Sequence, residues 1–482
     1  MTNQETPKLP ETFEQQMASL LEANEFARFK AALFTPCKSS IRINPRKKAP
    51  LPHNTSPVPW NPHGHFLPQR PKFTFDPLFH AGAYYVQEAS SMFIGHILNH
   101  IKPPKDGVYL DLCAAPGGKS SLLADYIGDE GLLVANEVIK TRASILRENM
   151  IKWGLGNTVV TNNDPSHFGE LEGLFDVVLV DAPCSGEGMF RKDAQAREEW
   201  SPENVKYCAA RQQRILDQAG ALPGSGGYLI YSTCTFNEQE NENMIRFITD
   251  EFAYESVRIP LDPAWGIVET EADTEWGTFY GYRFFPHLVS GEGFFITVLK
   301  RPSDAPFQQP KKMKDLKHVL LQRTNKAEKM LLRQELTLDD AFDFYKLKKS
   351  FFAIKTTWTK HFEVLASTLN IKYFGTELGK FNKDQFIPTH ALAISILPKT
   401  FPRHEISLEE AHIFLKKEDL TLDISHEGWV MLTYQNLPLG WIKNIGNRIN
   451  NYYPKEWRIR MKIMDKEGNN RENTNCKIVQ SP

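Results

Sequence analysis

Apolar and polar positions change rhythm several times along the chain. Near the start, Leu9-Pro10-Glu11-Thr12-Phe13 is followed by Met17, Leu20 and Leu21 at helical spacing. Ile41-Arg42-Ile43-Asn44 reads as a short strand that Pro45 ends. Residues 50–80 are rich in Pro, His and Phe and read as an irregular connection, whereas 84–99 reads as a helix with Met92, Phe93 and Leu98 on its apolar side. From Gly107 onward, short apolar runs alternate with amphipathic ones. The runs at 107–111, 132–136, 158–162, 175–180 and 227–231 predict five buried strands, with helices predicted over 120–127, 141–154 and 202–221. This alternation implies an α/β fold, a doubly wound parallel sheet of Rossmann-like type. Residues 279–300 then predict an antiparallel hairpin turning at Ser290-Gly291-Glu292-Gly293. A polar, proline-containing stretch at 301–310 marks a boundary. Beyond it 311–400 is mixed, 428–434 and 439–442 look like strands, and the chain after Lys462 is polar enough to fray. No internal repeat is visible.

A chain of 482 residues needs several cores. It lacks an apolar run of about 18 residues, so no membrane span is expected, and Met1-Thr2-Asn3-Gln4-Glu5 does not open like a secretion signal. A cytoplasmic location is the expectation. The six cysteines, at 37, 113, 184, 208, 234 and 476, contain no Cys-x-x-Cys pair, which argues against a zinc site and against a disulfide framework. The net charge of −1 does not point to nucleic acid, but the distribution does. Residues 311–360 carry 13 Lys or Arg against 6 Asp or Glu, and residues 441–466 carry 7 against 2. Local basic excess of this kind suits phosphate contacts, although either run alone also fits a solvated helix face.

Chemistry collects at the predicted strand ends, where open parallel sheets bind ligands. The first strand runs into Asp111-Leu-Cys113-Ala114-Ala115-Pro116-Gly117-Gly118-Lys119, whose small residues let backbone approach a ligand. Glu137, 19 residues after Gly118, ends the second strand where a carboxylate grips ribose hydroxyls. Asp164 follows the third strand and can reach the adenine side of the same ligand. A glycine pair alone is ordinarily a tight turn and a lone glutamate a solvated one. All three at successive strand ends point to a nucleotide-like ligand. The loop has neither the G-x-x-x-x-G-K-[ST] phosphate cradle nor G-x-G-x-x-G, which disfavours an ATPase and a nicotinamide enzyme.

The fourth strand leads into Asp181-Ala-Pro-Cys184-Ser-Gly186, and the fifth into Ser232-Thr-Cys234-Thr235. If these strands are neighbours, the two cysteines face one cleft. Each alone would ordinarily be a small buried hydrophobe. Together they suit a reaction at a carbon that is a poor nucleophile, such as C5 of cytosine. A thiolate added to C6 makes C5 enamine-like and divides a hard step into two. Asp181, if protonated, would offset charge at N3, and a second cysteine would assist release of the adduct.

These three motifs, in this order, resemble the signature set of the RNA cytosine-5 methyltransferases, the NOL1/NOP2/Sun family, over roughly residues 80–300. The resemblance implies S-adenosyl-L-methionine as cofactor, held by residues 113 to 119, Glu137, Asp164 and Asp181. It also implies Cys234 as nucleophile, Cys184 as the releasing cysteine and Asp181 as the third catalytic residue, with no metal. Leu9-Pro-Glu-Thr-Phe13, Ile41-Arg-Ile-Asn-Pro45, Tyr85-Val-Gln-Glu-Ala-Ser-Ser91, Pro438-Leu-Gly-Trp441 and Asn451-Tyr-Tyr-Pro454 are similar to the bacterial RsmF-type 16S rRNA methyltransferases, whose C-terminal part is a PUA-like RNA-binding module. The implied organisation is an N-terminal RNA-recognition extension (1–80), a catalytic domain (81–302), a linker and intermediate subdomain (303–395), a PUA-like β-rich domain (396–470) and a flexible tail (471–482). The implied partner is 16S rRNA in the small ribosomal subunit, bound by a monomer. Trp429, Tyr434 and Trp441 are read as core aromatics, with stacking on RNA bases as the alternative. The competing readings are methylation of tRNA or another RNA, a DNA cytosine-5 methyltransferase attacking through Cys184, and a non-catalytic ribosome-assembly factor.

Overall fold

The computed structural model describes residues 8–303, 321–383 and 385–461. The polar segment after Lys462, the tail and most of the 301–310 linker lie outside them. Among the described residues four sheets form, and the largest has ten strands.

In that sheet we number β1 (Val108–Asp111), β2 (Leu132–Asn136), β3 (Thr158–Thr161), β4 (Phe175–Asp181), β5 (Pro223–Thr233), β6 (Val268–Thr274), β7 (Gly277–Phe284), β8 (Phe294–Lys300) and β9 (Ile371–Phe374). Their order is β6-β7-β8-β5-β4-β1-β2-β3-β9, with the short strand Glu255–Ser256 paired to β8. The five central strands are parallel, because helical crossovers return the chain to the same edge each time. The principal crossovers are α1 (Gly118–Ile127), α2 (Lys140–Trp153) and α3 (Pro202–Ala219). β1 to β3 are buried at every position, which explains why they read as apolar runs rather than alternating ones. The chain reverses its direction of winding between β1 and β4, and this switch point opens a crevice beyond their carboxyl ends.

Around this sheet the expectations need two corrections. Residues 84–99 are not one helix. Tyr84–Val86 forms a strand against Ser40–Ile43, with Ile41 opposite Val86, and the helix starts only at Phe93. Long-range pairing outweighs the local apolar pattern here, and Glu88 starts the turn that leads into the helix by accepting from the backbone N–H groups of Ser90 and Ser91, both at 2.9 Å. Residues 50–80 are not irregular throughout, since Ser56–Val58 and Asn61–Phe66 complete that four-stranded N-terminal sheet. The mixed segment 311–400 contains a five-stranded antiparallel sheet and also β9, which pairs with β3 and closes that edge of the large sheet.

The N-terminal extension is joined to the α/β core by a buried cation. Arg42 donates to Gln87 Oε1 (2.8 Å), to Ser121 Oγ (2.5 Å) and to Asp125, and its guanidinium lies 4.6 Å from the centroid of the Trp153 ring. The helix Glu11–Leu20 buries Phe13 against Phe190, with ring centroids 4.9 Å apart. In the fourth sheet Gly428–Tyr434 pairs with Leu437–Asn444. Trp441 is buried there, donating to the Thr389 carbonyl at 2.7 Å and edge-packed on Phe401, so it is a core residue. Trp429 is half-buried, with Lys443 over its ring. No described helix is long and apolar enough to cross a membrane.

Candidate active site

The loop after β1 turns into α1 at Gly117, whose φ of +114° lies in the left-handed region that only glycine adopts freely. Behind it sits Asp111, fully buried, accepting from Ser120 Oγ at 2.6 Å. Burial raises its carboxyl from 3.8 to about 7. An acid that binds its proton more tightly folded than unfolded favours folding at low pH, and that advantage fades as pH rises from about 4 to about 7. Asp111→Asn is therefore expected to melt close to wild type at pH 4 and a few degrees higher at pH 8. Thermal melts at the two pH values check this.

Glu137, at the end of β2, is buried, accepts from the Ile139 N–H at 2.9 Å and has Arg142 at 3.7 Å. Asn136 beside it donates to the carbonyls of Leu112 (3.1 Å) and Asn163 (3.0 Å), holding the ends of three strands in register. Asp164 accepts from the N–H of Ser166 (3.1 Å) and its Oγ (2.8 Å). Partial burial works to raise its carboxyl, but these bonds outweigh it and hold the group below its ordinary value.

β4 and β5 are parallel neighbours, with Asp181 opposite Ser232. Their ends bring Cys184 Sγ and Cys234 Sγ to 3.1 Å, and the Cys234 N–H donates to Cys184 Sγ at 3.3 Å. The Cys184 thiol is raised well above its ordinary value, first by its hydrogen bond with Cys234 and then by burial. Asp181 accepts from Lys119 Nζ at 2.7 Å and from Ser232 Oγ at 2.9 Å. Burial acts to lower the Lys119 ammonium, yet Asp181 beside it prevails and raises it.

A cleft of about 270 Å³ is lined by Cys113, Ala115, Glu137, Asp164, Asp181, Cys184 and Cys234 together, and α3 adds Arg211 and Arg214. An adjoining hollow of about 150 Å³ takes in Ala114, Pro116, Gly118 and Lys119 and shares Cys113, Ala115 and Asp181 with the first. Gly117 lines neither and serves the turn. Cys113 faces both, and burial raises its thiol.

Two carboxylates that sequence reasoning missed hold the cysteine loops. Glu240 accepts from the Ser185 N–H (2.9 Å), Ser185 Oγ, Gln212 Nε2 (2.7 Å) and Asn237 Nδ2 (2.7 Å). Burial raises its carboxyl. Glu187 is fully buried and accepts from the N–H groups of Phe236 (2.7 Å) and Asn237 (3.0 Å) and from Trp200 Nε1 (3.1 Å). Glu240 therefore reaches from the Cys234 loop to the Cys184 loop, and Glu187 reaches back. Each had one available signal, an acidic residue just past a cysteine at a strand end. Among the described residues no cluster of three or more His, Cys, Asp or Glu is arranged to hold a metal.

Fold and site together define a Rossmann-like methyltransferase. The family model for 16S rRNA methyltransferase RsmB/F matches residues 98–300, that for the N-terminal domain of 16S rRNA methyltransferase RsmF matches 9–89, and that for the methyltransferase RsmF PUA domain matches 401–459. The ribosomal RNA small subunit methyltransferase F of Erwinia tasmaniensis is 30% identical over 475 residues, covering 93% of this chain and 96% of its own. The protein of that name from Aeromonas hydrophila is 30% identical over 472 residues, covering 93% and 97%. Among solved structures, a methyltransferase homolog from Pyrococcus horikoshii shares 27% identity at a TM-score of 0.51, covering 61% of this chain and 95% of its own. NSun6 from the same organism, crystallised with SFG, shares the fold at 19% identity and a TM-score of 0.51, covering 61% and 99%. The chain belongs to the ribosomal RNA small subunit methyltransferase F family. The cleft fits that family's methyl donor, S-adenosyl-L-methionine: it holds a buried carboxylate, Glu137, beside a loop of small residues where backbone can approach a ligand closely.

Proposed function

We propose that the chain methylates C5 of a cytosine in 16S rRNA, through a covalent bond between Cys234 and C6 that is resolved with help from Cys184. The observation that carries this is the meeting of two thiols at 3.1 Å in a cleft shared with the Lys119–Asp181 pair. One thiol would be enough for adduct formation, and a second in contact with it suits a reaction that must also break the adduct.

The target base must leave its stack to reach this crevice. Cys184, which holds its proton tightly, is placed to donate its S–H to Cys234 once Cys234 has given up its own proton to solvent. Attack of that thiolate on C6 breaks the C5–C6 double bond and pushes charge toward N3. Asp181, which accepts from the Lys119 ammonium and from Ser232, passes a proton from Lys119 to N3 to offset it, and takes that proton back once C5 has received the methyl group. The chemistry supplied by S-adenosyl-L-methionine is an electrophilic sulfonium methyl, which the activated C5 receives. Loss of the C5 proton to a base in the cleft then re-forms the double bond and expels Cys234, whose departing charge the Cys184 S–H stabilises.

Bisulfite sequencing of 16S rRNA from a strain lacking the gene and from its parent tests the assignment. A cytosine protected in the parent and converted in the deletion strain is the expected result. Identical 16S profiles would remove the ribosomal substrate from the proposal.

A further inference from the structure

A second concavity, about 600 Å³, opens where the N-terminal extension meets α2. Its floor is aromatic. Phe73, Phe79 and Tyr84 form a cluster with ring centroids 6.0 to 6.4 Å apart, and Tyr85 stands beside them on the same lining. Its rim is cationic. Arg70 and Lys72 are exposed, and neither makes an ion pair among the described residues. Arg70 lies over Phe73 at 5.4 Å instead. Tyr85 and Val86 also line the hollow that contains Lys119 and Asp181, so the two spaces share a wall. Asn149 ties them together by donating to Tyr85 Oη (3.3 Å) and to the Pro116 carbonyl in the glycine loop (2.8 Å).

We propose that this groove is a binding subsite for an unstacked nucleotide of the substrate RNA, next to the base that enters the cleft. Aromatic faces accept any base by stacking, and unpaired cations at a rim accept the phosphates on either side. The volume lies within the range of ordinary small-ligand pockets. Extruding one base from a strand leaves its neighbour without a stacking partner, and this groove offers one across the wall that Tyr85 and Val86 form. The inference rests on the proposed RNA reaction, because it locates the groove relative to that target base.

The test uses the full chain with 16S rRNA from a strain lacking the gene. Irradiation at 254 nm followed by peptide mass spectrometry is expected to place a nucleotide adduct on Phe73, Phe79 or Tyr85. The R70A/K72A double variant is expected to raise KM for this RNA about tenfold with kcat within about twofold, and to lower the salt slope of RNA binding by about two. Cofactor affinity should not move. If wild type methylates the RNA while the adduct maps elsewhere and KM is unchanged, the subsite is overturned and the reaction stands. If wild type transfers no methyl group, the reaction fails, and the adduct still decides whether the groove holds RNA. Hydrogen-exchange protection of the groove without RNA that disappears on removing residues 462–482 would assign it to the chain's own end and overturn the subsite.

Discussion

Cys234→Ala is expected to lower kcat for RNA methylation by on the order of 10⁴-fold or more, with cofactor affinity unchanged. Without the Cys234 sulfur to add at C6, C5 keeps the poor nucleophilicity of an intact aromatic ring. The variant should fold normally. Cys234 is only half-buried and its backbone is held by neighbours, including the Gly188 N–H that donates to its carbonyl at 2.9 Å. Single-turnover assays with labelled methyl donor, together with a binding isotherm for the cofactor, separate the chemical loss from unfolding. Rates within tenfold of wild type would reject Cys234 as the nucleophile.

Cys184→Ala should fail differently. Adduct formation needs Cys234, whereas its breakdown relies on the proton held by Cys184. The variant is therefore expected to accumulate a protein–RNA species on ordinary cytosine that survives denaturing electrophoresis, while turnover falls about 10²-fold or more. Combining it with Cys234→Ala should abolish the trapped species. The opposite pattern, with trapping lost in Cys184→Ala and kept in Cys234→Ala, would exchange the two roles and favour the arrangement expected of a DNA cytosine-5 methyltransferase.

The legible parts of the chain share a physical cause. Strands buried on both faces must be apolar throughout, so β1 to β5 stand out, and polar or reactive residues at their carboxyl ends stand out against them. Residues 113, 115, 137, 164, 181, 184 and 234 are thus drawn to one place by the sequence alone, and they line one cleft. What stayed hidden depends on partners far away in sequence. Tyr84–Val86 becomes a strand because Ile41 and its neighbours lie alongside. Glu187 and Glu240 look like solvated charges until Trp200, Asn237 and Gln212 are seen converging on them. Arg42 is read as one residue of a short strand, yet the Asp125 and Trp153 that admit it to the interior lie 83 and 111 positions further on.

The pairing of β9 with β3 bears on how the protein can be divided. Thr158–Thr161 is apolar enough to be buried on both faces, and its outer N–H and C=O groups are met by Ile371–Phe374. Cutting the chain after residue 302 would leave that margin bare, an invitation to other copies to add themselves in register. The same cut would free Asn163, which accepts from the Asn370 N–H at 2.9 Å next to Asp164 in the cleft. Residues long past the two cysteine loops thus act as a selvedge, keeping the woven sheet from unravelling at the side where Asp164 lines the cleft.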